Sequence, residues 1–335
     1  MMMKMRRTLI LLFSFLISGC DWATHPVDAK FSTYLNRIAN VQDAEPLPLN
    51  TNTNILLPTK RDLNFDIPLV TIGLLDSYEL RKCELFNLIA EKNSVLGKVQ
   101  DQFRNFDYQV QLIYGIDRCL LNEALSPALK AQLTQLASTK RNQLPMHFSN
   151  LVYTSDAMRS QLTAYEWINA DNASISSTLL QAINQIDAAW HTTSEVTFTN
   201  TLNSVVPYQE VLEKEPAIGE LSYSMLNASI KLNTITQQLK TYDERIICGQ
   251  SRDTTKFKYL RNVFQQLFIE DIQAYLAKLD SVYLRIEPMI GFTQSAHPNF
   301  RYPIQAYHAQ FRQSISAHVD YWKSLFARCG ALPSR

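Results

Sequence analysis

Glycine occurs only eight times in 335 residues, and that scarcity constrains the fold more than any other feature of the chain. Tight hairpins, bulges and phosphate-cradling loops draw on glycine for backbone conformations that other residues avoid. Scarce glycine with abundant Leu, Ala and Gln selects helix. The expectation is a mainly α fold: a single elongated multi-helix domain with little or no sheet.

Thirteen prolines mark where those helices cannot run. Asp28 can cap a first helix over about 30–41, where Phe31, Tyr34, Leu35, Ile38 and Ala39 share one face. Residues 43–68 break the pattern with Pro46, Pro48, Pro58 and Pro68. Leu47, Leu49, Ile55, Leu56 and Leu57 are too apolar for a free linker. An extended Pro-rich segment laid over the helices fits both facts, with room for one short strand. A loop of that length is a candidate functional surface.

Helix dominates from 69 onward. Apolar runs predict helices over Leu69–Leu80, 83–92 and 99–121, with turn chemistry at Asn93, Ser94 and Gly97. Ser126-Pro127 is a cap followed by a first-turn proline, opening a helix that stops before Pro145. Two short helices follow within 146–170, then one over 176–190. The Thr-rich stretch 191–206 is open between a strand or loop and a helix from about 196. Pro216 opens the next helix, and Asp253 or Thr254 caps a long one that Pro288 closes. Pro303 opens the last, whose stripe is Ile304, Tyr307, Phe311, Ile315, His318, Trp322 and Phe326. No repeat of 20–50 residues is present.

The N-terminus carries an address. Lys4, Arg6 and Arg7 precede an apolar run from Leu9 to Ile17, and Ser18-Gly19-Cys20 follows. A basic region, a short apolar region and small residues mark a secretory signal peptide, too short to span a bilayer. The stretch resembles the bacterial lipobox. That resemblance implies cleavage before Cys20, a diacylglycerol thioether on its sulfur and acylation of the new amino group. Residues 1–19 are then signal peptide, 20–30 a lipid-anchored tether, and 31–335 the helical domain, with possible halves 31–170 and 171–335. Asp21 resembles the signal that retains lipoproteins in the inner membrane, so that membrane is favoured over the outer one, facing the periplasm.

The formal net charge is +1; the signal carries three of the 32 basic residues and none of the 31 acidic ones, leaving −2 for the remainder. A near-neutral chain has no basic stripe for nucleic acid and no polybasic membrane patch. With Cys20 lipidated, Cys83, Cys119, Cys248 and Cys329 remain, an even number that suits disulfides in an oxidising compartment. Three pairings are possible. Cys83–Cys119 with Cys248–Cys329 is favoured, because each bridge closes a loop within one half. No cysteine or histidine pair has zinc-ligand spacing, and no metal or cofactor is expected.

No nucleophile elbow, phosphate loop, HExxH or EF-hand signature occurs. Glu270 and Asp271 are adjacent on a helix and point about 100° apart, which suits a solvated face better than a catalytic pair. His308 and His318 lie about 15 Å apart along the last helix and cannot share a metal. His318, within the apolar stripe, reads as a hydrogen-bonded core histidine. Aromatic residues crowd the C-terminal forty positions. Core packing accounts for them; the alternative is a groove for a ligand at Tyr302, Tyr307 and Trp322.

Together with the lipobox, the segment from Cys83 through Glu84, Leu85, Phe86 and Asn87 to Gly97, with Cys119 and the Leu325–Gly330 end, resembles an uncharacterised family of Gram-negative envelope lipoproteins. The resemblance implies a mostly helical envelope lipoprotein and carries no activity or ligand. The functional expectation is an interaction or accessory protein, held on the membrane through Cys20, that docks an envelope partner, with no chemistry inferred; an enzyme with Glu270, Asp271, His308 or His318 as acid–base residues would need at least two of them to converge in one cleft. The alternative is a binding module for a small apolar ligand or glycan through the aromatic C-terminal region.

Overall fold

Ten helices carry most of the architecture in the computed structural model, which describes residues 25–70, 79–83, 85–169, 175–193, 203–249 and 252–330. In chain order they are α1 Pro26–Val41, α2 Leu85–Asn93, α3 Gln102–Leu120, α4 Pro127–Thr154, α5 Asp156–Leu162, α6 Ser177–Thr192, α7 Ala217–Thr241, α8 Thr255–Val263, α9 Gln273–Ile286 and α10 Ile304–Arg328. The fold is mainly α, as glycine scarcity implies, and the described residues contain no strand. A lone antiparallel bridge joins Ile55 to Ala164. The signal peptide, Cys20, Asp21, most of the expected 69–80 helix and residues 194–202 of the Thr-rich stretch lie outside the described residues.

Side-chain caps set the starts of several helices. Ser126, Ser155 and Ser176 accept from the backbone N–H groups of Leu129, Met158 and Leu179, and Asp101 accepts from Arg104. The first helix departs from expectation. It starts at Pro26 with His25 as its cap, four residues early. Asp28 is turned inward instead, 2.9 Å from the buried Lys231 ammonium and 2.9 Å from the indole nitrogen of Trp167.

Two further corrections concern helix continuity. α4 does not stop before Pro145 but runs through it to Thr154. A proline inside a helix removes one hydrogen bond and costs roughly 3 kcal/mol. Burial offsets that here, since every residue from His147 to Thr154 is buried. The long C-terminal helix does span from Thr255 to Ile286, but Phe264–Ile272 is π-helical. That wider turn sets Phe264 4.3 Å from Trp322 and Phe268 4.5 Å from His318, ring centre to ring centre.

Residues 45–70 form a strap across the helices. Its backbone is satisfied by side-chain amides rather than by a sheet. Gln238 accepts from Leu47 N, Asn227 bonds both backbone groups of Thr53, Asn150 bonds both of Phe65, and Gln143 donates to Pro68 O.

Apolar side chains gather into two cores. The larger draws on α1 and on α3 through α10 and centres on the α7–α10 pair. The smaller contains Leu80, Leu85, Leu112, Ile116, Cys119, Leu125, Leu129, Leu133, Leu136 and Ala137. The smaller core is built from residues within 80–137, of which Phe103, Phe106, Val110 and Ile113 on α3 belong to the larger one. The disulfides join Cys83 to Cys119 and Cys248 to Cys329, with Cα separations of 5.2 and 5.0 Å. The first closes the small core; the second ties the approach to α8 to the end of α10.

Candidate functional site

Two of the three C-terminal aromatic candidates, Tyr302 and Trp322, lie inside the core. Tyr302 is fully buried and donates to Ser222 Oγ, and Trp322 is buried with its indole N–H on His318 Nε2 at 3.0 Å. Tyr307 is half-buried against the large core. His318 also meets Tyr34 Oη at Nε2 and Thr236 Oγ1 at Nδ1. Every polar atom of that imidazole is partnered, which is the core histidine expected from the stripe.

The candidate acid–base residues do not converge. His308 lies against the Tyr283 ring and bonds Asp280, which also pairs with Arg312. Asp271 pairs with Lys30 on α1, while exposed Glu270 accepts from Gln265. Glu270, Asp271, His308 and His318 thus have four separate sets of partners. Among the described residues no cluster of three His, Cys, Asp or Glu could hold a metal.

Open space lies between α9 and α10, at Leu276, Ile315 and Val319, and, more extensively, beside the smaller core. A cavity of about 590 Å³ sits between the strap's end, α2, α3 and α4. Phe65, Ile67 and Pro68 form one wall, Phe86 and Ile89 another, and Leu80, Leu112 and Leu136 present the face of the small core. Leu69 and Ala90 stand at its exposed rim. The volume falls within the roughly 300–1,000 Å³ of small-molecule sites.

Its polar groups come from three helices. Lys92, at the end of α2, donates to Gln100 Oε1 at 2.9 Å and Asn105 Oδ1 at 3.0 Å, and its ammonium lies 5.2 Å from the Tyr108 ring centre. Because Asn105 Oδ1 accepts from Lys92, its Nδ2 faces His147 Nδ1, 3.2 Å away, and donates. That leaves the His147 proton on Nε2, which is buried without a partner. Lys140 is 6 % exposed and has no hydrogen bond or ion pair among the described residues. Burial lowers the pKa of both lysines, and each lysine's charge acts on its neighbours. Burial, then Lys140 and Lys92, pulls His147 down to about 4, and burial pushes Tyr108 up to about 12.

None of Lys92, Asn105, Lys140 and His147 stands out as a motif. A signal was nonetheless present. Lys140 and His147 interrupt the apolar face Leu129, Leu133, Leu136, Leu144, Leu151 of α4 at helical spacing. The strap, marked as a candidate surface by its length, supplies the cavity's outer wall.

One family model, described as a protein of unknown function (DUF3080), matches residues 31–333. The chain belongs to this family. The match covers the strap, both cores and all four bridged cysteines, so the cavity lies within the region that defines DUF3080. No curated protein and no solved structure matches this DUF3080 chain. Among its described residues no helix is long and apolar enough to cross a membrane.

Proposed function

We propose that this DUF3080 chain is a lipid-anchored envelope protein that binds a small, largely apolar ligand, without turning it over, in the cavity beside its smaller core. The observation that carries the reading is the cavity itself: about 590 Å³, mostly apolar walls and a few converging polar groups. The dispersal of the acid–base candidates supports binding over catalysis. The lipobox-like stretch ending at Cys20 supports attachment to a bacterial membrane, facing the periplasm, with Asp21 favouring the inner one.

Titration with an apolar fluorescent probe tests the binding. Ala90 is exposed at the rim, so Ala90→Trp fills the mouth without disturbing either core. The expected result is probe binding by the wild type and its loss in Ala90→Trp at unchanged melting temperature. Equal binding by both proteins sinks the proposal. The anchor is tested by mass spectrometry of the mature N-terminal peptide: acylated Cys20 supports it, and an unmodified cysteine removes it.

A second reading, docking of an envelope partner, has one observation behind it. Val95, Leu96 and Val99, on the turn between α2 and α3, are 83, 80 and 76 % exposed. Crosslinking the anchored protein in cells, with Val95→Ser/Leu96→Ser as control, decides it. A stoichiometric partner lost in the control supports docking; identical recovery from both rejects it.

A further inference from the structure

The polar side of this cavity is dominated by hydrogen-bond donors. Lys140 carries an ammonium with three N–H bonds and no partner among the described residues, at 6 % exposure. Lys92 gives two of its N–H bonds to neutral acceptors, Gln100 and Asn105, and keeps a third. His147 keeps its Nε2–H unpartnered and buried. Among the described lining residues the fully buried acceptor without a partner is Gln109 Oε1. No carboxylate is among the described lining residues. A buried charge without a counter-ion is costly, and a polar group left unsatisfied in a folded protein calls for a reason.

We infer that the cavity binds an amphiphile with a single anionic head, the head on Lys140, Lys92 and His147 Nε2 and the chain along Phe86, Ile89, Leu112 and Leu136. This rests on the binding reading above and adds the chemical class of the ligand. The alternatives fit less well. A wholly apolar ligand would strip water from Lys140 and return nothing. A cation would be repelled by two ammonium groups. A small hydrophilic anion would leave the apolar walls in contact with water. An anionic oxygen pair accepts from Lys140 and His147 together and neutralises the mutual repulsion of the two lysines, while an acyl chain covers the walls. A carboxylate and a phosphate monoester share this chemistry.

The test uses the full chain carrying Cys20→Ala, so that no covalent lipid competes. Hexadecanoate, hexadecyl phosphate and hexadecanol are each titrated against a bound apolar fluorescent probe. At least one anion is expected to displace the probe at about tenfold lower concentration than the alcohol, a difference of one decade in affinity. The stronger of the two anions identifies the head. Lys140→Met keeps the side chain's length and removes its charge; with each displacement read relative to the variant's own probe affinity, the roughly tenfold preference for anions over the alcohol is expected to fall to about one. Lys92→Met serves in the same way if the first variant does not fold. Equal displacement by alcohol and anions in the wild type, or an undiminished preference in the methionine variants, overturns the head assignment and leaves the cavity reading standing. Failure of the fluorescent probe itself to bind overturns both.

Discussion

Burial shifts three imidazoles, His147, His297 and His318, and three carboxyl groups toward their neutral forms, and together they tie stability to pH. Burial holds His318 at about 3 and His147 near 4, against an ordinary 6.5. Each takes up a proton on unfolding below pH 6.5, so stability from this source is complete above that value and falls as the pH drops. Glu220 runs the other way. Burial and the nearby Glu166 raise it to about 7, so between 4.5 and 7 it holds a proton when folded and releases it when unfolded. Asp107 and Asp187, raised by burial, act in the same direction as Glu220. Variant differences therefore carry the test better than the wild-type slope. Near pH 5.5, His318→Gln is expected to lower proton uptake on unfolding by about one, and Glu220→Gln to raise it by about one. Denaturant unfolding at half-unit steps from pH 5 to 6.5 measures both. Unchanged slopes in the two variants would mean that neither group is held in the state its burial imposes.

At the scale of elements, the turn between α2 and α3 positions the cavity's cation. A Cβ built on Gly97 would lie 2.3 Å from the Glu91 carbonyl oxygen and 2.5 Å from that of Lys92. Backbone rather than a movable side chain blocks it, so the end of α2 must shift. Gly97→Ala is expected to cost about 1–3 kcal/mol, the range for overpacking. Since Lys92 rides on the displaced turn, binding of an anionic amphiphile should weaken as well. Calorimetry and titration of the same preparation check the two effects. Much of the helical layout is legible in the sequence, because burial on one face repeats at helical spacing and caps announce themselves, as at Ser126. The strap is legible from its prolines. Pro145 is not, because a local penalty of known size was outweighed by packing on both sides of it, and packing partners more than a hundred residues away leave no local mark. The site is harder still. Lys92, Asn105, Lys140 and His147 come from three helices, and a void has no residues of its own.

For the whole molecule, the two disulfides guard different cores. Loops of 36 and 81 residues imply about 4 kcal/mol each from restriction of the unfolded chain. Replacing Cys83 and Cys119 by alanine should cost that much and loosen residues 85–137 selectively, with the cavity's affinity lost alongside. Replacing Cys248 and Cys329 should cost as much while leaving the cavity intact. Hydrogen exchange resolved by peptide separates the outcomes; equal loss of protection throughout both proteins would show that the small core has no independence. The strap carries a consequence for the order of events during synthesis. Leu47 waits for Gln238, 191 residues downstream, and Thr53 waits for Asn227, 174 residues downstream. A chain that emerges from its N-terminus first must leave this segment hydrated and undocked until two thirds of its length has been made, and over that interval its leucines are open to a chaperone or a protease.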